Sequence, residues 1–236
     1  GKGTRKSSED RQLIRYLMRH RHTTPFEMCE IKFHVKLPIF VARQWIRHRT
    51  ANVNEISGRY SVFTDEFYTP AAENLARQSS NNKQGRGELL PAHEATEVQE
   101  LLASHATGAY ALYEQLLSGP ELARELARMT LPVSYYTEWY WKIDLHNLLH
   151  FLALRLDPHA QYEIRVYAEA MASLVKDWVP VAWEACEDYR LGAFNMSRQM
   201  MAAVSRMVAG EAVERESTGL SKREWEELNI ALGRSA

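Results

Sequence analysis

The sequence predicts a helix-rich α+β domain, and three observations point to it. Met28 to Leu37 alternates apolar Cys29, Ile31, Phe33, Val35 and Leu37 with Glu30, Lys32, His34 and Lys36, the period of a strand with one buried face. Val133 to Trp141 is dense in aromatics (Tyr135, Tyr136, Trp139, Tyr140) and reads as a second strand. Around these two, at least five segments carry apolar residues at helical spacing.

In chain order, Gly1 to Lys6 reads as a loop cut from something longer. Ser7 to His20 is a helix with Leu13, Ile14, Leu17 and Met18 on one stripe, capped by Ser7 with Asp10 behind it. Arg19 to His22 falls at its C-terminal end, where cations suit the helix dipole. After the first strand, Pro38 suits the first turn of a new helix. That helix is apolar through Trp45 and Ile46 and ends in Gln44 and Arg47-His48-Arg49 as its polar tip. Residues 50–70 read as loop with some extended chain, and Gln78 to Gly87 as a polar, mobile loop. Helices follow over Ala92–Leu117 and Glu121–Met129. After the second strand come Leu145–Leu154, capped by Asp144, and Ala160–Trp178. The remainder is helical, and Ser221 with Glu224 forms a capping box for Lys222–Leu232.

The formal net charge of −1 gives no global field toward nucleic acid or anionic membrane, so any anion site must come from local arginines. This disfavours an RNA-binding module. No run has the length of a membrane span, and two cysteines make no disulfide framework, so a cytoplasmic setting is expected. Cys29 and Cys186 lack the cationic neighbours that would make a thiolate, so neither is expected to be a nucleophile.

The chemistry concentrates in Gln44 to Arg49 and Asn54 to Ser61. Neighbouring guanidiniums with carboxylate, hydroxyl and phenol groups beside an apolar wall suit a phosphorylated, hydrogen-bonding ligand. The competing reading is a solvated helix end and a salt-bridged loop. Arg128 and Arg155 are candidates for the same anion. His146 and His150 are four apart, a metal-ligand spacing, but Asn147 stands where the HExxH motif needs Glu and no third ligand is evident, so no metal is expected. No GxGxxG fingerprint is present.

Arg47-His48-Arg49, seven residues and then Ser57 resembles the RHRx7S signature of the flavin-dependent thymidylate synthases. Pro25-Phe26-Glu27, Phe40 to Trp45, Asn54-Glu55, Ser57 to Ser61, Leu131-Pro132, Asp144 to Arg155 and His159-Ala160-Gln161 agree with that family. The likeness covers residues 1–190, leaving 191–236 as a helical C-terminal extension, and the family's N-terminal strand and helix have no counterpart ahead of Gly1.

The resemblance implies a mixed sheet flanked by helices, and a homotetramer with active sites at subunit interfaces. It implies FAD as cofactor, dUMP as substrate, and 5,10-methylenetetrahydrofolate and NADPH as co-substrates, with no cysteine nucleophile. By resemblance, Arg155 is the catalytic residue, favouring the ionised uracil. Gln44, Trp45, Ile46, Arg47, Glu55, Ile56, Ser57, Gly58, Arg59, Arg128 and Arg155 correspond to dUMP contacts. His22, Thr24, Arg47, His48, Arg49, Glu55, Asp144, Leu145, His146 and His150 correspond to FAD contacts. Relatives carry Asn, Arg and Asn where this chain has Asp144, His146 and His150, so contacts there are expected to differ.

Overall fold

The computed structural model describes residues 7–80 and 85–234. Its elements are α1 (Ser7–Arg19), α2 (Thr24–Glu27), β1 (Glu30–Pro38), α3 (Ile39–Trp45), β2 (Asn52–Glu55), β3 (Ala76–Gln78), β4 (Arg86–Leu89) and α4 (Ala92–Ser118), followed by α5 (Arg124–Ala127), β5 (Tyr136–Asp144), α6 (Leu145–Arg155), α7 (Tyr162–Trp178), α8 (Pro180–Cys186), α9 (Arg198–Val208) and α10 (Lys222–Ala231). The helix-rich α+β class holds.

The chain forms two compact units. His20–Pro180 makes one; the described residues up to Arg19 and from Val181 onward make the other. The expected extension from residue 191 thus shares a unit with α1 and residues 181–190.

In the larger unit β5 lies between β1 and β2, and every pairing among the described strands is antiparallel. Phe33 faces Trp141, Val35 faces Trp139 and Leu37 faces Thr137, all buried. The other face carries His34 opposite Tyr140 and Lys36 opposite Glu138, and is exposed. This alternation is the pleat of the strand written in polarity. The inner face packs on α3 and α6, and α7 packs on those two helices. Trp45 is fully buried, stacked on Phe151 at 4.9 Å and edge-on to Trp141 at 5.2 Å and Trp139 at 5.8 Å. Such ring pairs contribute about 0.5–1.5 kcal/mol each beyond area burial.

Several expected boundaries move. Pro38 ends β1 and precedes α3, with φ −64° and ψ 145°, instead of opening the helix. Cys29 stands just before β1 and is half-buried, not a strand residue facing the core. The aromatic strand runs to Asp144, because Val133 and Ser134 form a turn that only then enters β5. The expected helix over Glu121–Met129 is a single turn at α5 followed by a tight turn at Arg128–Thr130, with Glu121 left-handed at φ 53°. Of the span expected as a mobile loop, Gln78 ends β3 and Arg86-Gly87 open β4, with Ser79 N donating to Gly85 O at 3.1 Å, while residues 81–84 of that expectation lie outside the described residues. The Ser7 cap falls outside the described side chains.

The smaller unit has its own core of Met200, Ala203, Leu220 and Leu228. The predicted Ser221–Glu224 capping box is present. Arg15 there donates to Tyr189 and pairs with Asp188 at 2.6 Å. Among the described residues, no helix is long and apolar enough to cross a membrane.

Candidate active site

The larger unit holds the predicted site residues in three groups. The first surrounds Arg155, the last residue of α6. Asp144 positions this helix: its Oδ1 accepts from Asn147 N at 2.9 Å and its Oδ2 from Asn147 Nδ2 at 2.7 Å. A carboxylate at the positive end of a helix is favourable, so Asp144 acts as a cap. Leu145, Leu148, Phe151 and Leu152 face the core, and Arg155, one turn beyond Phe151 and Leu152 on that same face, is half-buried and reaches the end of α3.

There Arg155 Nε donates to His48 Nε2 at 3.1 Å. His48 is pushed down to about 4 by burial, by the Arg155 charge and by His150. It is therefore neutral near pH 7, and because Nε2 accepts, Nδ1 carries its proton. The His48 ring lies edge-on to Phe151 at 4.9 Å and to His150 at 6.3 Å. Burial also lowers the Arg155 guanidinium, but from a value so high that it stays charged.

Arg155 and Gln44 line a cavity of roughly 510 Å³. Gln44 Oε1 is buried and accepts no hydrogen bond among the described residues. Arg77, Gln78, Arg86, His159 and Gln161 complete much of the wall. The first three come from the hairpin and were not foreseen: Gln78 to Gly87 read as a polar, mobile loop, and Arg77 carried no reading. His159 and Gln161 sit in a segment whose resemblance was noted without a role. Arg77 is held by Glu94 at 2.8 Å and Arg86 by Glu163 at 2.5 Å.

The second group is the turn at Ser57–Arg59. Ser57 Oγ accepts from Arg59 N at 3.3 Å, and Arg59 Nε donates to Glu125 at 3.0 Å. Arg128 Nε donates to the Glu125 carbonyl at 3.3 Å, and Arg124 to the Tyr60 carbonyl at 2.8 Å. Gly58 is buried between these elements: a Cβ there would meet the Phe63 ring at 2.3 Å and Arg128 Cδ at 3.3 Å. Close approach, not a left-handed backbone, makes glycine necessary. Glu55 precedes this turn on β2, and its Oε1 accepts from Thr137 at 2.6 Å. Ile46 and Ile56 are exposed. None of Ser57, Gly58, Arg59 or Arg128 is in the wall of the Gln44–Arg155 cavity.

Arg47 and Arg49 are exposed just past α3, and His22 and Thr24 are exposed around the start of α2. Helix α2 packs on α6, and His48, between Arg47 and Arg49, meets His150 of α6, which gives the third group. Two exposed guanidiniums beside imidazole rings fit the phosphates and rings of a dinucleotide such as FAD. Two expected contacts differ in kind. The side chains of Trp45 and Leu145 are 0% and 1% exposed and belong to the core, which leaves only their backbones to a ligand. His146 is half-buried and His150 exposed. Among the described residues no group of three or more His, Cys, Asp or Glu could hold a metal ion. In the smaller unit, burial pushes the Cys186 thiol up to about 11, the opposite of what a nucleophile requires.

Fold and geometry together define a helix-rich α+β protein whose three-stranded antiparallel sheet buries one face against helices. The family model described as thymidylate synthase complementing protein matches residues 2–181. The flavin-dependent thymidylate synthase of Ruegeria pomeroyi is 62% identical over 238 residues, 99% of this chain and 78% of that protein. The one from Gluconobacter oxydans is 62% identical over 234 residues, 98% of this chain and 77% of that protein. The crystal structure of PolB, a UMP/dUMP methylase from Streptomyces cacaoi bound with 5-Br dUMP, is similar with TM-score 0.74 and 34% identity, covering 80% of this chain and 84% of that one. The same methylase bound with 5-Br UMP gives TM-score 0.74 and 37% identity over 78% of this chain and 86% of that one. The chain belongs to the flavin-dependent thymidylate synthase family.

Proposed function

We propose that this chain is a flavin-dependent thymidylate synthase that methylates dUMP at uracil C5 to give dTMP. 5,10-Methylenetetrahydrofolate is the carbon donor and NADPH the reductant. The observation that carries this is the half-buried Arg155 guanidinium, bonded to a neutral His48 and sharing a cavity with the unpartnered Gln44 Oε1. A fixed positive charge that meets no carboxylate among the described residues is suited to stabilise negative charge where it develops on another molecule.

In this reading Arg155 faces the uracil edge and favours the ring ionised at N3, which makes C5 electron-rich. Gln44 Oε1 accepts from a ring N–H or a sugar hydroxyl. Ser57, Arg59 and Arg128 hold the phosphate dianion, with the Gly58 amide close enough to donate because no Cβ intervenes. Glu55, fixed by Thr137, accepts from a sugar or ring donor. Arg47, Arg49, His22 and Thr24 hold the phosphate and sugar part of FAD, and His48, His146 and His150 flank its ring system. When bound, FAD supplies the hydride that completes the methyl group. No cysteine is required, in keeping with the raised Cys186 thiol.

Ser57, Gly58, Arg59 and Arg128 are not among the residues lining the Gln44–Arg155 cavity of the single chain. This supports sites composed across subunits of a homotetramer. A second reading, methylation of UMP as well as dUMP, is favoured by the PolB structure bound with 5-Br UMP. Turnover of each nucleotide separates the two.

The direct test is the absorbance spectrum. Purified protein, or protein incubated with FAD and desalted, should be yellow with a flavin band that shifts on adding dUMP. A colourless protein that takes up no FAD would count against this function.

A further inference from the structure

Glu163 is 5% exposed, the second residue of α7, and carries four contacts. Arg86 Nη2 donates to its two oxygens at 2.5 and 2.7 Å, the Tyr68 hydroxyl to Oε1 at 3.0 Å, and Gln161 Nε2 to Oε2 at 3.0 Å. Burial alone would push this carboxyl up; the bonds from Arg86 and Gln161 outweigh it and hold it below its ordinary value. Two of its donors, Arg86 and Gln161, stand in the wall of the cavity lined by Gln44 and Arg155, and also in that of a neighbouring cavity of roughly 470 Å³. The Arg86 guanidinium lies 5.8 Å from the Tyr162 ring centroid, so it is gripped from two sides. A buried ion pair gives little net stability, because desolvation offsets the attraction. What it does supply is a single geometry.

We propose that Glu163 is a positioning residue for the nucleotide site: through Arg86 and Gln161 it sets the β3–β4 hairpin and the start of α7 as one wall of the Gln44–Arg155 cavity. This rests on the reading that the cavity takes the uracil nucleotide. Glu163 itself does not touch the nucleotide.

The test uses the FAD-loaded full chain with Glu163→Gln, Arg86→Gln and the double variant. Glu163→Gln should weaken dUMP binding and raise its KM by roughly tenfold, the loss of one charge-assisted bond. Its kcat at saturating dUMP should stay within about twofold of wild type. Hydrogen exchange at residues 76–78 and 86–89 should quicken. The double variant should be no worse than the worse single one, since the two residues act as a unit. Glu163→Asp, which keeps the charge, should recover part of the affinity. If Glu163→Gln does not fold, Arg86→Lys carries the test, because it keeps the charge but cannot reproduce the grip. Additive single effects, or faster exchange with unchanged dUMP affinity, would overturn the proposal and leave the enzyme's function standing. A wild-type protein that binds no dUMP would overturn the nucleotide reading and this inference with it.

Discussion

Arg155 Nε donates to His48 Nε2 across 3.1 Å, joining the last residue of α6 to the imidazole just past α3. The bond fixes two things at once. It makes His48 an acceptor at Nε2, hence neutral, and it aims the Arg155 guanidinium without neutralising it, since imidazole carries no charge to cancel.

Arg155→Ala should therefore lower turnover far more than flavin retention. We expect kcat to fall at least ~100-fold, as for loss of a charge-stabilising donor, with FAD content near that of wild type after desalting. Comparable loss of both would remove Arg155 from its assigned role.

His48 also predicts a pH dependence of stability. Its native value is about 4 against an ordinary 6.5, so between those values the unfolded chain binds a proton that the native one does not. Stability then rises with pH across that window and is fully present above pH 6.5. Arg155→Ala removes one of the causes and should flatten the slope in part, because burial, the larger cause, remains. Denaturant midpoints at pH 4.5, 5.5 and 7 check this.

Much of this site was legible before the fold. The alternation of β1 gave a buried face, the aromatics of β5 marked its partner, and Asp144 announced the start of α6. These signals are local, since each depends on side-chain period or on one cap. β2 was not legible: Asn52, Val53, Asn54 and Glu55 are all exposed, and the strand is held by backbone pairing to β5, which leaves no pattern in the side chains. The hairpin failed for the same reason, and with it Arg77 and Arg86, whose partners Glu94 and Glu163 lie 17 and 77 residues away. Trp45 and Leu145 were expected as contacts from the family resemblance, but one residue along a helix is a rotation of about 100°, which turns their side chains into the core while Gln44 and His146 stay half-buried.

The Asp144 cap should be interchangeable with Asn but not with Ala. Asp144→Asn retains an acceptor for Asn147 N and should leave the melting temperature nearly unchanged. Asp144→Ala should cost about 1 kcal/mol, read from chemical denaturation.

Gly58→Ala places a methyl group into the Phe63 ring and against Arg128. We expect a loss of about 1–3 kcal/mol, typical of overpacking, and weaker dUMP binding because Ser57, Arg59 and Arg128 share that turn. Equilibrium dialysis and a thermal melt measure the two effects separately. Unchanged dUMP affinity would detach this turn from the nucleotide.

If sites are composed across subunits, inactive Arg155→Ala and Arg128→Ala proteins should complement each other. Mixed tetramers, formed by co-expression, would contain some sites with both arginines intact and regain part of the activity. Two proteins that stay inactive in mixed assemblies would place both residues in the same subunit's site.

The most direct measurement is tritium release from dUMP labelled at C5, using the FAD-loaded protein with 5,10-methylenetetrahydrofolate and NADPH. We expect tritium to enter water in step with dTMP formation, and neither to occur without FAD or with Arg155→Ala. A protein that binds FAD and dUMP yet releases no tritium and forms no dTMP would contradict the assignment.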